Sequence, residues 1–185
     1  MSLQLDQNFL FEGDQDHKLV IYQLLVRLFS NTQSANIPWG TIAENGCGRF
    51  NDINDKALNA LKEFGVTHLW YTGVIEHATM TDYTAYGVAA DDADIVKGRA
   101  GSPYAVKDYY DVDPDLAVDV SKRMQEFEAL VERTHQQGLK VLIDFVPNHI
   151  DGRNLFIVIP NKNQSVKEYY FGVPCSQSPI PNPPN

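Results

Sequence analysis

Positive charge is scarce in this chain. Over 185 residues, 15 Lys and Arg stand against 24 Asp and Glu, a formal net charge of -9. At a pI of about 4.9 no broad face can neutralise a phosphate backbone, which excludes a general nucleic-acid binder. The same deficit argues against docking on anionic membranes. Long apolar runs are missing too: none approaches the ~18 residues of a membrane span. Cysteine is nearly absent, and Cys47 and Cys175 are too few and too far apart for a disulfide framework or a zinc site. The N-terminus lacks the basic start and apolar stretch of a signal peptide. Asp6, Glu12, Asp14 and Asp16 sit there instead, so residues 1–17 are expected to form an acidic, extended lead-in. No Gly-x-Gly-x-x-Gly or Gly-x-x-x-x-Gly-Lys turn follows the first apolar segment, which removes the usual nucleotide-binding signatures.

What remains is the composition of a globular protein, 43% hydrophobic and 21% charged, at a length that suits one domain. Leu19–Phe29 carries only Gln23 and Arg27 as polar residues and reads as a buried strand with those two on one face. After a long loop, Asp52 and Asp55 predict a capped helix. Its apolar face would be Ala57, Leu58, Leu61 and Phe64, with Gly65 as its stop. Val66–Tyr71 reads as a second strand. Residues 72–120 show no long periodic segment, and Asp91, Asp92 and Asp94 within them read as a solvated face. A helix over 121–137 presents Met124, Phe127, Leu130 and Val131, and Gly138 ends it. Leu139–Val146 is the third and clearest strand. Strands alternating with helices predict right-handed crossovers and a parallel sheet. The near-continuous apolar runs predict burial on both faces of that sheet. Residues 151–185 lose the pattern and end in a proline-rich tail.

Ligands of parallel β/α folds gather beyond the carboxyl ends of the strands. Asp144-Phe145-Val146-Pro147-Asn148-His149 therefore forms the best candidate site, with a carboxylate, an amide and an imidazole where the third strand emerges. The competing reading makes Asp144 a satisfied core residue and Asn148-His149 a turn. Asp111, Asp113 and Asp115 alternate like an EF-hand loop. Leu116 and Lys122 occupy the positions that need Gly and Glu, so that reading fails.

The segment from Asp144 to His149 resembles the first short motif of the α-amylase family of glycoside hydrolases (family 13): Asp, three mostly apolar residues, Asn-His. Three further segments resemble that family in its order. Ile21-Tyr22-Gln23 is similar to the core of its first strand. Phe64-Gly65-Val66-Thr67-His68-Leu69-Trp70 is similar to its helix end and second strand. Tyr104 to Pro114 is similar to the Tyr-Asp-Val-Thr-Asp-Tyr-Tyr stretch before its second barrel helix. The resemblance implies a partial (β/α)8 barrel, the first three β/α units over residues 18–150, with 151–185 opening the insertion after strand three. It implies α-glucan as the partner, with Tyr104 stacking under a sugar ring and His149 hydrogen-bonding that sugar. Asp144 would support the active-site network, and the side-chain oxygen of Asn148 would bind calcium, whose other ligands would come from the insertion.

A retaining glycosidase needs two carboxylates roughly 5–5.5 Å apart; in this family those two, with a third supporting aspartate, follow strands four, five and seven. A whole barrel takes about 250 residues. The expectation is therefore a truncated catalytic domain, inactive as it stands. Two alternatives compete: a non-catalytic carbohydrate-binding or assembly module, and a small doubly wound α/β protein.

Overall fold

A computed structural model describes residues 18–33 and 35–146. In chain order the elements are β1 (Ile21–Leu25), α1 (Val26–Phe29), α2 (Ile42–Asn45), α3 (Asp55–Glu63), β2 (His68–Thr72), β3 (Ile75–His77), β4 (Val106–Val112), α4 (Arg123–Gln136) and β5 (Lys140–Ile143). The lead-in 1–17, Asn148, His149, Cys175 and the tail lie outside the described residues.

The expected parallel sheet is present. Its order is β1-β2-β5, with Tyr22 opposite Leu69 and Leu69 opposite Val141, then Leu24 opposite Tyr71 and Tyr71 opposite Ile143. Residues two apart on a strand share a face, so these pairs line one side. Leu24, Leu69 and Tyr71 are buried there in one cluster with Leu58 of α3 and Leu130 of α4, and Leu61, Met124, Phe127 and Val141 pack against it. The Tyr71 hydroxyl meets Thr134 Oγ1 at 2.6 Å, and Thr134 donates onward to the Leu130 carbonyl at 2.8 Å. Thr134 is thus a buried residue of α4 that a search for apolar side chains passes over.

The opposite face carries Ile21, Gln23, Trp70, Thr72 and Leu142. It is not buried on both sides as the apolar runs predict: Ile21 is 52% exposed and Leu142 37%. Among the described residues, both long helices contribute to the cluster on the Leu24–Leu69–Tyr71 side.

Three other expectations are corrected. The run Leu19–Phe29 is not one strand, because β1 stops at Leu25 and the chain turns helically. The turn buries Val26 completely and points Arg27 at two buried carboxylates, while Gly48 N donates to the Arg27 carbonyl at 2.7 Å. Gln23 and Arg27 therefore do not share a strand face. The cap of α3 is Asn54, whose Oδ1 accepts from Ala57 N at 3.1 Å. Asp52 serves the preceding turn, accepting from Arg49 N at 2.8 Å and from Ser30 Oγ at 2.7 Å. Phe64 lies beyond the last helical residue and is 80% exposed.

The aperiodic stretch 72–120 contains an antiparallel pair, β3 with β4, whose register is irregular. Short strands with bulges leave no period-two signature to read. The loop between them is tied at its base by Ala78 N to Ala105 O at 3.0 Å and Met80 N to Arg99 O at 2.9 Å. Gly101, at φ 75°, lets the two sides meet there, since a Cβ would stand 1.7 Å from the Ala78 carbonyl oxygen.

Candidate functional site

The carboxyl ends of all three parallel strands converge on Gly73. Its N–H donates to Asp144 Oδ2 at 3.1 Å, just past β5. A Cβ on Gly73 would lie 3.0 Å from Leu25 Cδ1, at the end of β1, and 3.1 Å from Pro103 Cβ, next to Tyr104. The φ of 73° adds to that crowding, so only glycine holds this junction without strain.

Asp144 is fixed from a second side. Its Oδ1 accepts from the Trp70 indole N–H at 2.6 Å, and Gln23 Nε2 donates to Thr72 Oγ1 at 2.8 Å on the same sheet face. Each Asp144 oxygen thus accepts one donor, a side-chain N–H on Oδ1 and a backbone N–H on Oδ2, which fixes the orientation of the carboxylate. The segment after it is anchored as well. Tyr109 donates to the Val146 carbonyl at 2.6 Å, and the Tyr109 and Phe145 rings lie 5.7 Å apart.

Tyr104 sits in the turn before β4 and is 47% exposed. The Pro103–Gly73 approach brings its loop to the strand end that Asp144 organises, although Tyr104 and Asp144 share no hydrogen bond. Asn148 and His149, the remaining two residues singled out by the sequence, lie outside the described residues. Among the described residues no group of three His, Cys, Asp or Glu is placed to hold a metal ion.

Sequence reasoning missed a buried ionic cluster beneath the same loops. Asp113 and Asp115, the failed EF-hand residues, are fully buried. Arg27 pairs with Asp115 through Nη2 and lies 3.4 Å from Asp113 Oδ2. His77 Nε2 stands 3.6 Å from Asp113, and the Tyr83 hydroxyl donates to Asp115 Oδ1 at 2.6 Å. Burial alone would lower the pKa of Arg27, but the two carboxylates reverse that and hold it above its ordinary value. Burial also raises the pKa of Asp113. Nearby, burial pushes the Cys47 thiol up to about 11, which leaves it protonated and inert. The signal available was the Asp-x-Asp pair itself, once its calcium reading had failed.

Asp91 is likewise no part of a solvated face. Lys107 Nζ lies 3.1 Å from Asp91 Oδ1 and 3.6 Å from Glu76 Oε1, and Asp91 Oδ2 accepts from Thr79 N at 3.0 Å. Glu76 is buried on β3, and burial pushes its carboxyl pKa up to about 7 despite Lys107. A carboxyl raised above its unfolded value binds its proton more tightly when folded. Its ionisation therefore costs stability above pH 7, and that cost disappears as pH falls toward 4.5. Glu76→Gln is expected to raise the stability on the order of 2–3 kcal/mol at pH 8 relative to wild type, with the gain vanishing at pH 4.5. Urea midpoints of both proteins at the two pH values check this. A gain independent of pH would remove Glu76 as its source.

These features define a parallel β/α protein whose polar and aromatic side chains collect at the carboxyl ends of its strands. The chain matches the model of the alpha amylase catalytic domain over residues 23–185, and it belongs to that family. Cyclomaltodextrin glucanotransferase of Geobacillus stearothermophilus is 28% identical over 142 residues, which cover 70% of this chain and 17% of that protein. Alpha-amylase 3 of Dictyoglomus thermophilum is 23% identical over 154 residues, covering 82% and 23%. The solved α-amylase of Lactobacillus plantarum shares 27% identity at a TM-score of 0.48, covering 71% of this chain and 23% of its own. The chain thus spans about a fifth of the length of these curated relatives.

Proposed function

We propose that this chain supplies substrate contacts to an α-glucan-acting glycoside hydrolase or transglycosylase, and that it carries no hydrolytic carboxylate pair of its own. The junction at Gly73 is the observation that supports this most strongly, since it sets the exposed Tyr104 ring on a loop packed against the end that Asp144 organises. In this reading residues 18–150 are the first three β/α units of a (β/α)8 barrel and 151–185 begin the insertion after strand three. The open face of Ile21, Gln23, Trp70, Thr72 and Leu142 is then the barrel interior. An aromatic face against the C–H face of a sugar, beside fixed polar groups, is the ordinary chemistry of such a pocket. His149 hydrogen-bonds the same sugar, and calcium enters through the Asn148 side-chain oxygen.

Four described carboxylates around these loops are already paired. Asp144 is spent on Trp70 and Gly73, Asp113 and Asp115 on Arg27, and Asp111 on Arg123, whose Nε donates to it at 2.9 Å. A second reading is a non-catalytic carbohydrate-binding or assembly module that keeps Tyr104 and His149 for sugar contact. Family membership sets aside the independent doubly wound protein.

Calorimetric titration with maltoheptaose tests the proposal. Tyr104→Ala is expected to weaken binding at its site about tenfold, ~1.4 kcal/mol, while Tyr104→Phe retains it. Equal affinity in wild type and Tyr104→Ala would overturn the assignment.

A further inference from the structure

A second concavity opens between the loop after β1 and the loop between β3 and β4. Its volume is about 250 Å³, and Trp39, Thr41, Asn45, Thr81, Arg99 and Arg27 are among its lining. That lies just under the roughly 300–1,000 Å³ of drug-sized pockets, and it suits a single ring the size of a hexose.

Trp39 forms an apolar wall of this cavity while being 62% exposed. Its backbone sits at φ 59°, in the left-handed region that bulky residues avoid. The surroundings hold it there. The Asn45 side chain clamps Ile37 from both sides, accepting from its N–H at 2.7 Å and donating to its carbonyl at 2.9 Å. Gly40 N donates to the same carbonyl at 2.9 Å, and Asn31 Nδ2 ties the Asn45 carbonyl at 2.9 Å. An indole kept at the surface by a clamped turn, instead of folding onto the core, is a preorganised platform.

Thr81 and Arg99 line the same cavity as Trp39. Arg99 is bonded to described residues through its carbonyl alone, to Met80 N at 2.9 Å and Thr79 Oγ1 at 3.2 Å, so its guanidinium fork is open to a ligand. Charge around the cavity is balanced: Arg27 is neutralised by Asp113 and Asp115, and Glu44 lies close enough to feel Arg99. An anion gains little from such a balance. A neutral polyol gains an aromatic face, a donor fork spaced for two adjacent hydroxyls, and the Thr81 hydroxyl.

We infer that the Trp39–Arg99 cavity is a second binding site for one glucosyl unit of an α-glucan, separate from the Tyr104 site. The inference rests on the α-glucan reading above. The indole stacks on one ring face while Arg99 and Thr81 hold its hydroxyls.

The chain has two tryptophans, Trp39 and Trp70, so a ¹H–¹⁵N spectrum carries two indole signals, and maltotriose is the probe. In wild type the Trp39 indole is expected to shift saturably. Tyr104→Ala should leave that dissociation constant within about twofold, whereas Arg99→Ala and Thr81→Val should each raise it at least about threefold. Trp39→Gly, which relaxes the backbone at φ 59° and so preserves the loop, should remove one calorimetric binding event. If maltotriose binds but the Trp39 indole stays in place, or if Tyr104→Ala alone abolishes its shift, the second site falls and the α-glucan reading stands. If maltotriose does not bind at all, both fall.

Discussion

Arg27→Met is expected to cost the protein about 3–5 kcal/mol, the penalty of leaving buried charge without its partner. Methionine restores the volume of the arginine stem, so the loss isolates the guanidinium. Asp113 and Asp115 are fully buried, and Arg27 is the group that pairs with both. The Tyr83 hydroxyl and the Asp115 amide, which donates to Asp113 Oδ1 at 2.9 Å, satisfy further lone pairs but carry no full charge. Single domains hold about 5–15 kcal/mol in total, so the substitution removes a large share of the margin. Urea unfolding followed by circular dichroism reads the effect directly. Adding Asp113→Asn to Arg27→Met should recover part of the loss, because it removes one of the stranded charges. A loss below about 1 kcal/mol for Arg27→Met would mean that the cluster is already neutral through protonation.

Asp144→Ala is expected to cost about 2–4 kcal/mol, since each hydrogen bond to a charged group contributes about 1.5–3 kcal/mol and both donors would be left unpaired. One donor is the Trp70 indole and the other is the backbone of Gly73, where the three strand ends meet. Asp144→Asn keeps one acceptor oxygen and should lose about half as much. Near-UV circular dichroism adds a local readout, because Trp70 loses its partner while Trp39 does not. If Asp144→Ala also weakens maltoheptaose binding and Tyr104→Phe does not, Asp144 acts by positioning the strand-end junction.

The parallel sheet was legible because its three segments are apolar, and β2 and β5 lie where Val66–Tyr71 and Leu139–Val146 place them. Their ends were less so. Leu25 and Val26 are both apolar, and nothing in the run marks the turn that Arg27 makes toward buried carboxylates 86 and 88 residues away. Tertiary pairing decided that boundary. Thr134 was invisible for the opposite reason, since a threonine on the buried stripe is explained only by the Tyr71 hydroxyl above it. Of the candidate site, the strand-end rule located Asp144 and the family motif located Tyr104. Gly73, which joins them, carries no side chain for a motif to catch, and only the packing distances reveal it.

On the proposal above, these residues bind α-glucan without cleaving it. Release of reducing ends from soluble starch, measured on the same preparation that binds maltoheptaose, tests this most directly. Binding with no release above the protein-free control is expected. Steady turnover abolished by substitution of one carboxylate would contradict it.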